Sequence, residues 1–388
     1  MRIAHVIPTY VPAYRYGGPI RAVHGLAEAQ AAAGDEVEVF TTDRDGKERL
    51  AVERERPVAV GRHRARYFPT APPRRLARAP RLAAALAREL PTIDLVHLHS
   101  VFLWPTAAAA RAARRAGRPY VVSPRGMLDP ELVARRGALR KRLWIALVER
   151  RTLAAASRIV ATSEAEASAI RRLGLELAPI EVVPNGVDAA ELAPPAPGAV
   201  AAPVRAAIAA GPYVLFLGRL SWKKGLDALL DAAAFAPQLR LVVAGPDDEG
   251  LAARLAARAR AAGAGERVAF VGAVDGAERA ALVHGALALA LPSSAENFGN
   301  AVLEAMACGT PVVVSPGVGL ADEVRACRCG RVVDADPVAL AAAFGELAAD
   351  PAAARAMGER GRAAVAARYS WASVAERMRA VYRAAGAA

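Results

Sequence analysis

At 388 residues the chain is too long for one ordinary core and has room for two domains of common size. Its 54% hydrophobic and 23% charged residues exclude a disordered or fibrous class, and three cysteines, Cys308, Cys327 and Cys329, form no disulfide framework, which fits a reducing cytoplasm. The net charge of +13 favours acidic partners such as phosphates, anionic lipid or nucleic acid, but the basic residues are nearly all Arg, so charge alone is weak evidence for nucleic acid.

The opening Met-Arg-Ile-Ala-His-Val-Ile-Pro reads as a strand over 2–8 and not as a signal peptide, and no run approaches the roughly 20 apolar residues of a spanning helix. Short β-rich runs then alternate with longer Ala/Leu/Arg runs of helical period, the pattern of a parallel sheet with crossover helices. Strands are predicted at 2–8, 36–42, 95–99, 120–123, 158–162 and 180–183, with helices near 20–32, 80–90, 105–116, 131–154 and 164–173. The Pro/Ala/Gly stretch from Leu192 to Gly198 resists both periods and reads as a linker. The series restarts with strands at 213–217, 240–244, 268–271, 287–291 and 311–315, each followed by a helical run. The fold class is therefore α/β with two doubly wound, Rossmann-like domains: 1–190, a linker 191–211, and 212–370. The last helical run, 371–386, has no pattern that assigns it to either domain.

Two motifs carry chemistry. In Ser294-Ala-Glu296-Asn297-Phe298-Gly299-Asn300-Ala-Val302-Leu-Glu304 a strand ends, a polar loop carries Glu296, and a helix opens near Gly299, running on until Gly309 closes it. Free amides and the positive dipole end at that start make a phosphate seat, with Glu296 before it and Glu304 about one turn further in. Either glutamate taken alone is an ordinary surface residue. The second motif is Leu217-Gly218-Arg219-Leu-Ser-Trp-Lys-Lys224-Gly225, where a buried strand ends in Gly and Arg219 and Lys224 follow within a loop. Arg grips phosphate oxygens bidentately and Lys adds a mobile point charge. Two of the four lysines, at 47, 141, 223 and 224, fall in this motif.

With the Gly17-Gly18 loop and Val183-Pro-Asn-Gly-Val-Asp188, these motifs resemble glycosyltransferase family 4, over nearly the whole chain. The resemblance implies a GT-B fold, two Rossmann-like domains facing across a cleft, with the final helix crossing back onto the first. It assigns Glu304 to the ribose of a nucleotide-sugar donor, Glu296 to the transferred sugar, and Arg219 with Lys224 to the diphosphate. Gly17 and Gly18 then face the donor phosphate, and Val271 and Gly272 hold the base mostly through backbone. Asn297, Phe298, Gly299, Asn300 and Val302 complete the donor loop. Many family members carry His where Arg125 stands, so Arg125 is a donor-side candidate that departs from the pattern.

The activity implied is retaining, metal-independent transfer of a hexose from a nucleotide diphosphate-sugar to an acceptor glycan, a lipid-linked glycan, a polysaccharide precursor or a small molecule. There is no cofactor beyond the donor substrate. A nucleotide-sugar epimerase or hydrolase on the same fold is the nearest alternative, and a non-catalytic basic binding protein is a more distant one. No Asp-x-Asp motif accompanies the donor site; Asp247-Asp248 reads as a helix cap, and Cys327-x-Cys329 lacks a second ligand pair. His97 and His99 share one side of a strand and read as structural. Finally, Leu132, Leu139, Leu143 and Leu147 form a stripe near Arg135, Arg136, Arg140, Lys141, Arg142, Arg150 and Arg151, with Trp144 as an anchor. That pattern suits either a core helix with a basic solvated face or a helix on the inner, anionic face of a membrane. Specific nucleic-acid binding is not expected.

Overall fold

The computed structural model describes residues 1–14, 17–135, 137–196, 198–274 and 276–387. It divides into two units, Met1–Gly186 with the chain from Trp371 onward, and Val187–Ser370.

The first unit is built on an eight-stranded sheet in the order Ile180–Val182, Arg158–Ala161, Tyr120–Ser123, Leu95–His99, Arg2–Thr9, Glu36–Thr42, His63–Phe68, Pro57–Val60. All pairs are parallel except the last, an antiparallel edge. The central strands are buried on both faces, as a sheet covered by crossover helices requires, and this is why unbroken apolar runs announce them in the sequence. The strands 57–60 and 63–68 are absent from the sequence expectation. In His63-Arg-Ala-Arg-Tyr-Phe68 the residues His63, Ala65 and Tyr67 point inward, while Arg64 and Arg66 interrupt the hydrophobic signal and pair across the sheet with Glu36 and Glu38, each at 2.7 Å.

The helix expected over 131–154 is broken into Pro130–Ala134, Ala138–Trp144 and Arg150–Ala154, the last two joined by a π-helical turn, Ile145–Glu149. The first of these ends at Arg135 in an extended conformation, and Gly137, left-handed at φ 76°, is the N-cap of the second. The wide turn carries the Glu149 carboxylate into the interior, where it accepts from Phe102 N and Trp144 Nε1, both at 2.8 Å. Trp144 is thus an internal hydrogen-bond donor and not an exposed anchor. Leu132 lies on a separate short helix from the other leucines of the stripe, and Arg136 lies outside the described residues.

Helix Trp371–Ala384 belongs to the first unit. Val374, Ala375, Met378, Val381 and Tyr382 enter the core formed with Ile3, Val23 and Val39. The Trp371 ring lies so close over Gly25 and Gly186 that a Cβ would stand 2.2 Å and 2.6 Å from its atoms. Tyr382 also closes a buried polar chain. Arg125 donates to His99 Nδ1 at 3.3 Å; since a guanidinium can only donate, His99 carries its proton on Nε2, which donates to His5 Nδ1 at 2.8 Å. His5 Nε2 donates to Gln30 Oε1 at 2.8 Å, Gln30 Nε2 to the Tyr382 hydroxyl at 3.1 Å, that hydroxyl to His97 Nδ1 at 2.6 Å, and His97 Nε2 to Ser123 Oγ at 2.8 Å. The chain joins three strands, the first helix and the last one. His97 and His99 are structural, with no exposure at all.

The second unit holds a six-stranded, all-parallel sheet in the order Val268–Gly272, Arg240–Ala244, Tyr213–Leu217, Ala288–Leu291, Val312–Val314, Gly330–Val332. Residues 191–211, expected as a linker, instead carry the helix Ala202–Ala209, and Leu192, Val204 and Ala207 are buried in the core of this unit. Apolar residues spaced among Pro and Ala were enough to seat the segment, which composition alone had hidden.

The three imidazoles of the first unit's polar chain make stability depend on pH. Desolvation, the largest effect, lowers His5 from 6.5 to about 3 and holds His97 and His99 well below their ordinary value. The folded state keeps them neutral while the unfolded chain takes up protons below 6.5, so their contribution is complete above 6.5 and is lost as pH falls toward the folded values. The loss approaches about 1.4 kcal/mol per pH unit for each histidine. The melting temperature should drop between pH 6.5 and about 5, before carboxylates titrate, and His99→Gln should show a shallower drop than the parent; an unchanged slope would remove the histidines as its cause.

Candidate functional site

In the second unit the strand order reverses between Tyr213–Leu217 and Ala288–Leu291: the chain builds outward to 240–244 and 268–272 on one side, then returns to the other. The carboxyl ends of two strands at such a reversal are where open α/β sheets place ligands. Both sequence motifs lie on the loops leaving those ends. They are latched to each other, because the Lys223 carbonyl accepts from Ser294 N and from Ser293 Oγ, both at 2.8 Å. Gly225, at φ 69°, lies so near that a Cβ would stand 2.0 Å from the Pro292 carbonyl oxygen. The strand ends are equally close-packed: a Cβ on Gly245 would stand 1.9 Å from Gly218 O, and the Gly245 amide donates to Gly272 O at 2.7 Å.

The result is a direct ion pair between Lys224 Nζ and Glu296 Oε2 across the two loops. An ammonium has three donors, so this pair leaves the others for a second anion. Arg219, on the same loop as Lys224, is exposed. Glu296 is held by backbone, its amide donating to Gly317 O at 2.9 Å and its carbonyl accepting from Gly319 N at 2.8 Å. Side chains at 317 or 319 would collide with carbonyls of Ser294 and Asn297 at 2.5 Å and 2.2 Å. These glycines were not picked out from the sequence, although Ser315-Pro-Gly-Val-Gly319 directly after a strand is a visible signal.

The helix Asn300–Ala307 opens after Gly299 in a left-handed conformation (φ 102°). Val302 is not a ligand donor: its side chain is fully buried, and its amide is taken by Gly299 O at 2.9 Å. Phe298 likewise turns into the core, 3% exposed, near the Tyr369 ring, so its role is to fix the loop. Asn297 and Asn300 are half-buried at the rim, and Val271 and Gly272 end the outermost strand.

Glu304, half-buried, accepts from Arg279 Nη1 at 3.2 Å. Arg279 sits on the neighbouring helix Gly276–Gly285, is 7% exposed, and also faces Glu191 at 4.0 Å. The sequence offered no period that would single out this arginine among so many. Asp247 caps the helix Ala252–Ala261 through Leu251 N and Ala252 N, at 2.6 Å and 3.0 Å. Among the described residues, the His/Cys/Asp/Glu groups close enough to share an ion are His5, His97 and His99, and His24, Glu28 and His63; both lie in the first unit.

The first unit has its own reversal between Arg2–Thr9 and Leu95–His99. After the former, Gly17 (φ 71°) precedes the helix that starts at Gly18; a Cβ there would meet nothing within 4 Å, so backbone conformation, not space, calls for glycine. Arg125 also has positive φ (54°), and its guanidinium is committed to His99 and, at 3.1 Å, to Asn185 Oδ1. Burial lowers it to about 10, still a cation at neutral pH. Its loop is held by Glu166, which accepts from Gly126 N at 2.5 Å and from Thr162 N at 2.7 Å. Arg125 therefore positions this end of the sheet through its neighbours.

Residues 17–186 match the glycosyl transferase 4-like domain and residues 205–364 the glycosyl transferases group 1 domain. A D-inositol 3-phosphate glycosyltransferase from Kineococcus radiotolerans is 34% identical over 92% of this chain and 88% of its own. One of the same name from Xylanimonas cellulosilytica is 36% identical over 60% of this chain, a match that spans 58% of the relative's length. Among solved structures, sucrose-phosphate synthase from Thermosynechococcus elongatus superposes with a TM-score of 0.76 at 25% identity, covering 99% of this chain and 98% of its own.

The Arg279–Glu304 contact predicts a stability effect at a position the resemblance assigns to ligand binding. Glu304→Gln leaves a buried guanidinium with only the exposed and more distant Glu191 carboxylate, at 4.0 Å, as its anion and should cost on the order of 1–3 kcal/mol in urea unfolding. Adding Arg279→Met should recover part of that loss; strictly additive costs would show that the pair is not coupled.

Proposed function

This chain belongs to glycosyltransferase family 4, and on that premise we propose that it moves a sugar from a nucleotide diphosphate-sugar to an acceptor hydroxyl with retention of anomeric configuration. The observation that carries this reading is the pairing of Lys224 with Glu296 beside the opening of helix Asn300–Ala307, at the carboxyl edge where the strand order reverses. The acceptor oxygen attacks the anomeric carbon, the bond to the diphosphate breaks with its electron pair leaving on phosphate, and a departing phosphate oxygen takes the acceptor proton. Charge thus develops on the diphosphate. Lys224, Arg219 and the helix opening stabilise it electrostatically, so the reaction needs no divalent ion. Glu304 binds the ribose hydroxyls, and Glu296 orients Lys224 and faces the sugar.

Product analysis with and without acceptor separates transfer from hydrolysis or epimerisation. D-inositol 3-phosphate is the first acceptor to assay, since relatives at 34% and 36% identity carry that name. Transfer should survive excess chelator; abolition with rescue by magnesium or manganese would contradict the electrostatic assignment.

Lys224→Ala should lower kcat about 10²–10³-fold, as loss of one oxyanion-type donor does. Glu304→Gln should raise donor KM more than it lowers kcat, because ribose contacts are equal in ground and transition states. Near-normal turnover in the former, or an unchanged donor KM in the latter, would move the donor site elsewhere.

A further inference from the structure

No helix of the described residues is long and apolar enough to cross a membrane, yet the first unit carries an unusual apolar row. Among described residues, the large hydrophobic side chains left exposed are Tyr14, Leu139, Leu143, Leu147, Trp222, Phe235 and Val338. Three of the seven stand at i, i+4 and i+8 on one helical run, exposed by 81%, 58% and 65%. Scattered exposed leucines need no explanation; a contiguous row does.

Beside it runs a second row with the same spacing, Arg142, Ala146 and Arg150, each i+3 from a leucine of the first. This row forms one wall of a cavity of about 570 Å³. Arg172, at the end of helix Glu164–Arg171, supplies a third guanidinium to its lining, and Glu176 supplies the single acidic side chain. Lys141 is turned away, donating to the Leu132 carbonyl, and Trp144 is engaged with Glu149. The surface therefore consists of an apolar ridge about 12 Å long flanked by a groove of three arginines.

We infer that this face docks on an anionic phospholipid bilayer, with Leu139, Leu143 and Leu147 entering the acyl boundary and the arginine groove taking lipid phosphate. Guanidinium groups bind phosphate bidentately, and the ridge suits shallow interfacial insertion. The apolar ridge and the adjacent cationic groove match the two chemistries of such a surface, acyl chain and phosphate. Nucleic acid would satisfy the arginines and leave the leucines in water; a second copy of the chain would cover the leucines and oppose like charges.

The test is flotation of the full chain at low salt with vesicles of equal parts phosphatidylglycerol and phosphatidylcholine, and with phosphatidylcholine alone. Binding is expected to the former only and to weaken with salt. Arg142→Gln/Arg150→Gln/Arg172→Gln should reduce partitioning about 100-fold, about fivefold per charge. Leu139→Ser/Leu143→Ser/Leu147→Ser should reduce it at least about tenfold. Both alter exposed positions, and unchanged melting temperatures check the fold. The proposal is overturned by absence of flotation, by equal flotation on neutral lipid, by either variant floating like the parent, or by a concentration-dependent dimer that the leucine variant abolishes. The readout uses neither sugar nor nucleotide, so its failure leaves the transfer reaction standing, and failure of transfer leaves the docking face standing.

Discussion

A parallel sheet delivers the carboxyl ends of its strands to one edge, and where the strand order reverses, two loops from distant parts of the chain come side by side at that edge. Both units obey this constraint, the first between residues 2–9 and 95–99, the second between 213–217 and 288–291. The chemistry-bearing residues are a consequence of that geometry. Glu296 and Lys224, 72 positions apart, meet because adjacent strands end beside each other at the reversal.

What keeps the loops there is largely backbone, with the Ser293 hydroxyl as a side-chain tie. The Lys223 carbonyl, the close contact of Gly225 with Pro292, and the ladder from Glu296 to Gly317 and Gly319 fix the positions of both charged residues before any ligand is present. Preorganisation of this kind matters because charge held in place needs no reorganisation when new charge develops opposite it. The buried Arg279 does the same for Glu304, at the expense of tying a binding residue to the stability of its unit.

The first unit reaches a comparable order by a polar route. The Arg125 cation sets the tautomer of His99, and through it the direction of the bonds to His5 and Gln30; the Tyr382 hydroxyl, which also accepts from Gln30, orients His97. A core with three imidazoles and a tyrosine is well defined only when every donor meets an acceptor, and helix Trp371–Ala384 supplies the group that completes the set.

Local pattern carried a good deal. The central strands of both sheets, the helix after the Gly218-Arg219 loop, the Asp247 cap and the two charged motifs were legible in the sequence, because buried parallel strands are short apolar runs and caps and glycine loops are local. The edge strands 57–60 and 63–68, the break at Gly137 and the packing of 191–211 were not, since arginines, a wide π-turn and a Pro/Ala run obscure local period. Phe298 and Val302 sat in a ligand motif yet serve the core. Only the tertiary structure decided that Arg279 faces Glu304, that Arg125 is spent on His99 and Asn185, and that three leucines of a helical stripe remain in solvent. Sequence periodicity reports which side of an element is apolar; which groups meet, and which face is left without a partner, depends on contacts between residues far apart in the chain.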